Sequence, residues 1–174
     1  MDSDVVKLLL ALFLVVLNGF FVAAEFSIVK VRYSQIQIKA AEGNAMAKQA
    51  EHLIKHLDEY LSATQLGITL ASLALGWVGE SAMHHVIENT LHYFSIALAD
   101  STITTISLVI SFLLITIMHI VFGELIPKSI AIRKSEQTAM LIAMPLRLFY
   151  TVFKPFIWSM NQMSNGFLRL VKIH

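Results

Sequence analysis

The feature that most constrains the fold is a long apolar run near the N-terminus. The segment from Leu8 to Val29, LLLALFLVVLNGFFVAAEFSIV, is almost uninterrupted and is bounded by Lys7 and Lys30. A helix of about 20 residues crosses a hydrocarbon core, so this segment is long enough to span a bilayer. A secretory signal peptide is the alternative for such a position, but its apolar core is usually shorter. The run therefore predicts an integral membrane protein with the lipid bilayer as its surroundings.

Two further segments predict spans, and a fourth apolar segment is interrupted. The predicted second span covers residues 61–78 and the third covers residues 103–122. In the fourth segment, residues 136–173, Pro145 and Arg147 interrupt the apolar sequence. Arginine near the centre of a span costs ~2.5–3.5 kcal/mol, which favours re-entrant or interfacial helices over a crossing. The predicted fold class is all-α integral membrane, with three transmembrane helices plus short re-entrant, interfacial and juxtamembrane helices.

The composition agrees with a membrane protein and excludes several other classes. Hydrophobic residues make up 56% of the chain and charged residues 14%, whereas soluble domains carry about a quarter charged residues. The chain has no cysteine, so oxygen and histidine ligands are the metal chemistry that remains. A net charge of +1 with scattered basic residues gives no reason to expect nucleic-acid binding.

The placement of lysine and arginine predicts the orientation in the membrane. The connector after the first span is basic, the connector Gly79–Thr102 has no lysine or arginine, and basic residues return after the third span. The positive-inside rule then places the N-terminus outside and the C-terminus in the cytoplasm. Within the basic connector, helical periodicity predicts two short surface helices broken at Gly43–Asn44.

Polar residues inside the spans are the candidates for function, because such groups are expensive in hydrocarbon. Glu25 lies near the cytoplasmic end of the first span and is followed by Ser27. The Glu25 carboxylate either pairs with Lys30 or Arg32 at the interface or belongs to an ion site. Both interpretations remain open from the sequence.

The second span carries a stripe of polar residues. Gln65, Thr69 and Ser72 follow at i, i+4 and i+7, so they share one helix face. Gly67 and Gly76 permit a close approach of neighbouring helices. Such a stripe either bonds helices together or forms a groove with neutral oxygen ligands for an ion.

The most specific motif, GELIPKS, covers Gly123–Ser129 at the end of the third span. Pro127 cannot continue the helical hydrogen bonding, so carbonyls around Phe122 and Gly123 are expected to be free beside the Glu124 carboxylate. Carbonyl and carboxylate oxygens suit a hard cation such as Mg²⁺. The alternative is a plain Glu–Lys salt bridge at the membrane surface.

The polar residues near this motif do not predict an enzyme. His119 lies about one and a half turns before Glu124, and a lone histidine in a span is more often a packing residue than a ligand. The chain has neither an HExxH zinc motif nor a serine nucleophile elbow. We therefore expect no catalytic activity.

Three stretches in order, FFVAAEFSIVKVR, TQLGITLASLALGWVGE and FGELIPKSIAI, resemble the transmembrane domain of the CorC/cyclin M (CNNM) family, in its bacterial hemolysin-C-like branch. The resemblance covers the whole chain, residues 1–174. It implies a homodimer in the bacterial inner or plasma membrane, with three spans per subunit. It also implies Mg²⁺ export coupled to Na⁺ entry. ATP binding is expected only in cytoplasmic regulatory domains that family members carry and that are absent from this chain.

The resemblance also implies a set of ion ligands. The carboxylate would be that of Glu124, beside the backbone of Gly123, and the second span would contribute near Gly67, Thr69 and Ser72. A sensor of Mg²⁺ that regulates a separate channel without transporting is the alternative function, and it needs such a site too.

The chain departs from the family pattern at several of these positions. Val22, with Ala24 two residues on, stands where family members have a serine. The second-span asparagines of the family are replaced here by Ile68, Thr69 or Ser72. We expect Glu25, Ser27 or retained waters to compensate, since Mg²⁺ usually keeps several waters.

Overall fold

The computed structural model describes residues 2–94 and 99–171, and these residues form helices and short connections without strands. The helices are α1 (Asp2–Lys30), α2 (Tyr33–Ala41), α3 (Ala45–Lys55), α4 (Leu57–Tyr93), α5 (Asp100–Met118), a π-helical segment (His119–Leu125), α6 (Ile126–Arg133) and α7 (Ser135–Leu170). The predicted all-α fold class is therefore confirmed.

Four helical stretches in the described ranges are long and apolar enough to cross a membrane. They are Ser3–Lys30, Leu57–Tyr93, Asp100–Arg133 and Ser135–Leu170. The three predicted spans, residues 8–29, 61–78 and 103–122, lie within the first three stretches. The prediction of three spans does not match this count, because the fourth stretch also qualifies.

The fourth stretch differs from its prediction because α7 continues through both of its prolines, Pro145 and Pro155. Each proline removes one helical hydrogen bond, but α7 also buries an apolar face that stabilises the helix. The buried residues of this face are Ala139, Ile142, Ala143, Leu146 and Ile157. The predicted broken segment, residues 136–173, is thus one helix as far as Leu170, and its residues 172–173 lie outside the described residues.

The chain divides into two compact units, each with its own packing. The first unit consists of Met1–Gly19 and Ile68–Pro127, and the second of Phe20–Gly67 and Lys128–His174. In the first unit, α1 and α4 form an apolar cluster, against which Ile115 of α5 packs. The buried members of this cluster are Ala11, Leu14, Val15 and Leu75.

The two short helices of the second unit confirm the predicted break at Gly43–Asn44. Gly43 has a φ of +95°, in the left-handed region that favours glycine. The Asn44 side chain then caps α3 by accepting a hydrogen bond from the Ala47 N–H at 3.1 Å. The turn and the cap together explain why one amphipathic pattern becomes two helices.

Helix α7 is attached to the other elements of the second unit by polar and aromatic contacts. The Arg147 guanidinium donates to Gln49 Oε1 of α3 at 2.6 Å, and the Tyr150 hydroxyl donates to Glu59 Oε2 at 2.5 Å. The ring of Phe149 lies 4.7 Å from that of Phe21, centroid to centroid. Arg147 therefore has a polar partner on a short surface helix, which the sequence alone did not indicate.

Gly67 and Gly76 of α4 provide a matched pair for testing this packing. A Cβ at Gly67 would lie 2.5 Å from Cγ of Phe21, whereas a Cβ at Gly76 would meet nothing within 4 Å. Because Phe149 packs on Phe21, the ring has little room to move. We expect Gly67→Ala to destabilise the protein by about 1–3 kcal/mol through overpacking, measured as thermal unfolding in detergent. Gly76→Ala should leave the melting temperature unchanged or raise it slightly. Equal decreases in melting temperature in both variants would contradict the close contact between Gly67 and Phe21.

Candidate functional site

The predicted motif at the end of the third span forms a π-helical segment, His119–Leu125. The N–H of Ile126 donates to the carbonyl of Val121, five residues back. Pro127 follows directly and has no N–H to offer the carbonyls of Phe122 and Gly123. The wider helical turn is therefore located where the proline removes the regular hydrogen bonding.

The carbonyl of Gly123 receives its hydrogen bond from another helix. The Asn18 amide of α1 donates from Nδ2 to the Gly123 oxygen at 2.9 Å, and the Asn18 side chain is fully buried. A Cβ at position 123 would lie 2.9 Å from Cδ2 of His119 and 3.2 Å from Nδ2 of Asn18. Only glycine therefore fits between these two side chains.

A second glycine brings α1 close to the same segment. A Cβ at Gly19 would lie 2.8 Å from Cγ of Pro127 and 3.4 Å from the Phe122 oxygen. Any larger residue would have to displace the proline ring or push α1 away. The neighbouring residues Asn18 and Gly19 thus supply the polar contact and the space that it requires.

Ser72 of α4 and His119 extend this contact into a network. The Ser72 hydroxyl donates to Asn18 Oδ1 at 3.1 Å, and its oxygen lies 3.2 Å from Nε2 of His119. Because a hydroxyl carries a single proton, His119 must be the donor in the second contact, with its proton on Nε2. The hydrogen bonds therefore all have the same direction: His119 donates to Ser72, Ser72 donates to Asn18, and Asn18 donates to the Gly123 carbonyl.

The Glu124 carboxylate lies at the edge of this network. Its Oε1 is 3.8 Å from Nε2 of His119, and the Glu124 side chain is 42% exposed. That distance is too long for a hydrogen bond, so the carboxylate is near the imidazole without being fixed by it. Glu124 thus places a carboxylate beside the imidazole that ends the network.

A pocket of about 340 Å³ opens next to the network in the first unit. Its polar lining includes Ser72, His119, Thr116 and Glu80, and its apolar walls are Leu75, Phe112 and Ile115. The polar network is therefore accessible from a cavity with both charged and apolar surfaces.

The other predicted site residues are distributed over both units. In the first unit, the Thr69 side chain is exposed. Ser72 is the predicted second-span ligand that takes part in the network. Gly67 is in the second unit, where it approaches Phe21. Among the residues that the structure describes, no three His, Asp or Glu side chains gather as a metal-binding group.

Glu25 and Ser27 also belong to the second unit. The Ser27 hydroxyl is fully buried and donates to the Ala24 carbonyl of its own helix at 3.0 Å. Glu25 is half-buried, and Lys128 provides the positive charge that acts on its carboxylate. Lys128 also lies over the Phe26 ring, with Nζ 4.5 Å from the ring centroid.

Two residues of the network were missed or undervalued at the level of sequence. Asn18 is a carboxamide within an apolar run, and polar groups at such depth are expensive unless they have a partner. That rule could have identified Asn18. His119 was expected to be a packing residue, and it does form a hydrogen bond, but the bond connects it to Ser72 within the network.

Long apolar helices and a buried polar network define this chain as part of a multi-pass membrane protein. Residues 9–174 match the family described as the cyclin M transmembrane N-terminal domain. The chain belongs to this cyclin M (CNNM) family, as the sequence motifs indicated.

Relatives in several bacteria are similar to the chain over nearly its whole length. UPF0053 protein YhdT of Bacillus subtilis is 49% identical over 161 residues, which are 91% of this chain and 34% of that protein. An uncharacterized protein of Mycobacterium tuberculosis, Rv1841c, is 34% identical over 95% of this chain and 46% of its own length. The polyamine export protein of Haemophilus influenzae is 29% identical over 99% of this chain and 40% of its own length. The chain thus spans less than half the length of these relatives.

We expect Asn18→Leu to destabilise the first unit, because it leaves the Gly123 carbonyl without its donor. Pro127 cannot replace that donor, so the loss should be about 1–2 kcal/mol, measured by thermal unfolding in detergent. Ser111→Ala is the matched control, since Ser111 is also fully buried but donates only to the Ser107 carbonyl of its own helix. Similar melting temperatures for Asn18→Leu and Ser111→Ala would show that the contact between α1 and the π-helical segment does not stabilise the fold.

Proposed function

We propose that the chain forms the membrane part of a secondary transporter that exports Mg²⁺, acting as a homodimer and driven by Na⁺ entry. The observation that carries this proposal is the Glu124 carboxylate beside His119, whose imidazole ends a hydrogen-bonded network of oxygen atoms at a π-helical segment. The homodimer and the Na⁺ gradient are part of the proposal through membership of the cyclin M family.

The chemistry of the network suits a small divalent cation. Asn18, Ser72 and Gly123 each present an oxygen atom, and Glu124 supplies the negative charge. Mg²⁺ takes oxygen ligands, usually one or two of them carboxylates, and keeps several of its waters. The adjoining pocket of about 340 Å³ has room for such waters.

The same segment also has features that favour exchange of an ion over permanent storage. Transporters often present ligands at interrupted helices, where backbone carbonyls are released from the regular ladder. Here Pro127 releases the Gly123 carbonyl, and a side chain of α1 holds it instead. A side-chain contact between helices can be broken and remade at lower cost than a helical turn.

The alternative without transport is a membrane sensor of Mg²⁺ that regulates another channel. A sensor would use the same oxygen ligands but would not move the ion. Flux through liposomes that contain only this protein distinguishes the two, since a sensor binds Mg²⁺ without flux.

A second cargo is favoured by the apolar walls of the pocket. The Haemophilus influenzae relative is named a polyamine export protein. An aliphatic polyamine could lie along Leu75, Phe112 and Ile115, which line the pocket together with Glu80. One of its ammonium groups would then pair with the Glu80 carboxylate of the pocket lining.

We expect Glu124→Gln to reduce Mg²⁺ flux to the level of protein-free liposomes, because the amide retains the shape but loses the charge that attracts the cation. The measurement is Mg²⁺ flux by the purified protein in liposomes, with and without a Na⁺ gradient. Glu42→Gln, at an exposed position of the second unit, is the control and should transport like the unmodified chain. Normal flux in Glu124→Gln would exclude Glu124 as the ligand of the transported ion.

The cargo can be decided with Phe112→Ser, which makes an exposed part of the pocket wall polar. If Mg²⁺ is the cargo, its flux through Phe112→Ser should stay within about twofold of the flux through the unmodified chain, because the ion is held by oxygen atoms. A polyamine should lose about fourfold in apparent affinity for each methylene group that no longer lies against the apolar wall. A polyamine cargo would be established by two results together. The unmodified chain would transport spermidine and Phe112→Ser would transport it more slowly, while neither protein would transport Mg²⁺.

A further inference from the structure

The second unit contains a pocket that the proposed transport does not use. It has a volume of about 440 Å³ and lies where α2, the end of α6 and the start of α7 meet. Its charged lining consists of Lys39, Arg133, Lys134 and Glu136. Three cations against one carboxylate give this lining a net charge of +2.

The arrangement of these charges favours an anion. Lys39 forms an ion pair with Glu136, so the carboxylate is already matched by one of the three cations. Arg133 and Lys134 are exposed and contribute the remaining positive charge. Helix α7 begins at the pocket, and Lys134 provides no side-chain cap there, so the helix dipole increases the positive potential.

Exposed apolar residues on the same helices as the cations favour an anion with a hydrocarbon tail. Ile38 of α2 is 60% exposed and Ile132 of α6 is 44% exposed, and both lie outside the pocket lining on the helices that carry Lys39 and Arg133. In a membrane protein, helices that expose both cations and apolar side chains are suited to the boundary between lipid headgroups and acyl chains. A free phosphate ion would use the cations but not the apolar surface.

We propose that this pocket binds the phosphate headgroup of an anionic phospholipid. Arg133 would contact phosphate oxygens through its planar guanidinium, and Lys134 would add a point charge. The acyl chains would lie along the apolar side chains of α2 and α6. Since the pocket is formed by three helices, a bound lipid would hold α2, α6 and α7 together.

The test uses the purified chain in neutral detergent, titrated with phosphatidylglycerol, phosphatidylcholine or inorganic phosphate. Binding is followed by thermal unfolding and by native mass spectrometry. We expect Arg133→Gln/Lys134→Gln to weaken phosphatidylglycerol binding by about tenfold or more, since each basic residue near a lipid surface contributes about 1 kcal/mol. The control Lys48→Gln/Lys154→Gln removes the same charge from exposed positions that do not line the pocket.

Each outcome decides the proposal. Retained binding in the control together with lost binding in the pocket variant supports it. Equal losses in both variants would mean a general charge effect, and equal binding of phosphatidylcholine would mean no headgroup recognition; either result overturns it. Saturation by inorganic phosphate in place of the lipid would identify a free anion as the ligand and would also overturn it. If the double variant does not fold, Lys134→Gln alone should weaken phosphatidylglycerol binding by about fivefold.

Discussion

The hydrogen bond from the Asn18 amide to the Gly123 carbonyl is the interaction on which the polar network of the first unit depends. Pro127 removes the backbone donor that would otherwise reach this carbonyl. A buried carbonyl without a donor is expensive, and the Gly123 carbonyl is buried, so α1 has to supply one. The bond is possible only because glycines at positions 19 and 123 allow the helices to approach. The proline, the glycines and the amide therefore form one structural unit.

Much of the fold was predictable because local chemistry determines it. The break between α2 and α3 follows from the left-handed glycine at position 43 and the capping side chain of Asn44. The disturbance of the third span follows from the missing N–H of Pro127. In both cases the cause and its effect lie within a few residues of each other, and a single sequence contains that information.

The remainder depends on contacts between distant parts of the chain. Asn18 and Gly123 are 105 residues apart, and the rotation of α1 that brings them together is determined by packing. Arg147 appeared too costly for a long helix when considered alone, but Gln49 of α3 provides its partner. Periodicity identifies the face of a helix that is polar, yet it does not identify the helix that this face will meet.

The one-directional hydrogen bonding would have a consequence for selectivity in the proposed transporter. Each bond from His119 to Ser72, from Ser72 to Asn18 and from Asn18 to Gly123 uses one lone pair of the accepting oxygen, and each of these oxygens has two. Three lone pairs therefore remain outside these hydrogen bonds, one each on Ser72 Oγ, Asn18 Oδ1 and the Gly123 carbonyl oxygen. Lone pairs of this kind are able to accept a metal ion or the N–H of an ammonium group. In the proposed transporter, the octahedral shell that Mg²⁺ demands would help to distinguish it from the tetrahedral geometry of an ammonium nitrogen.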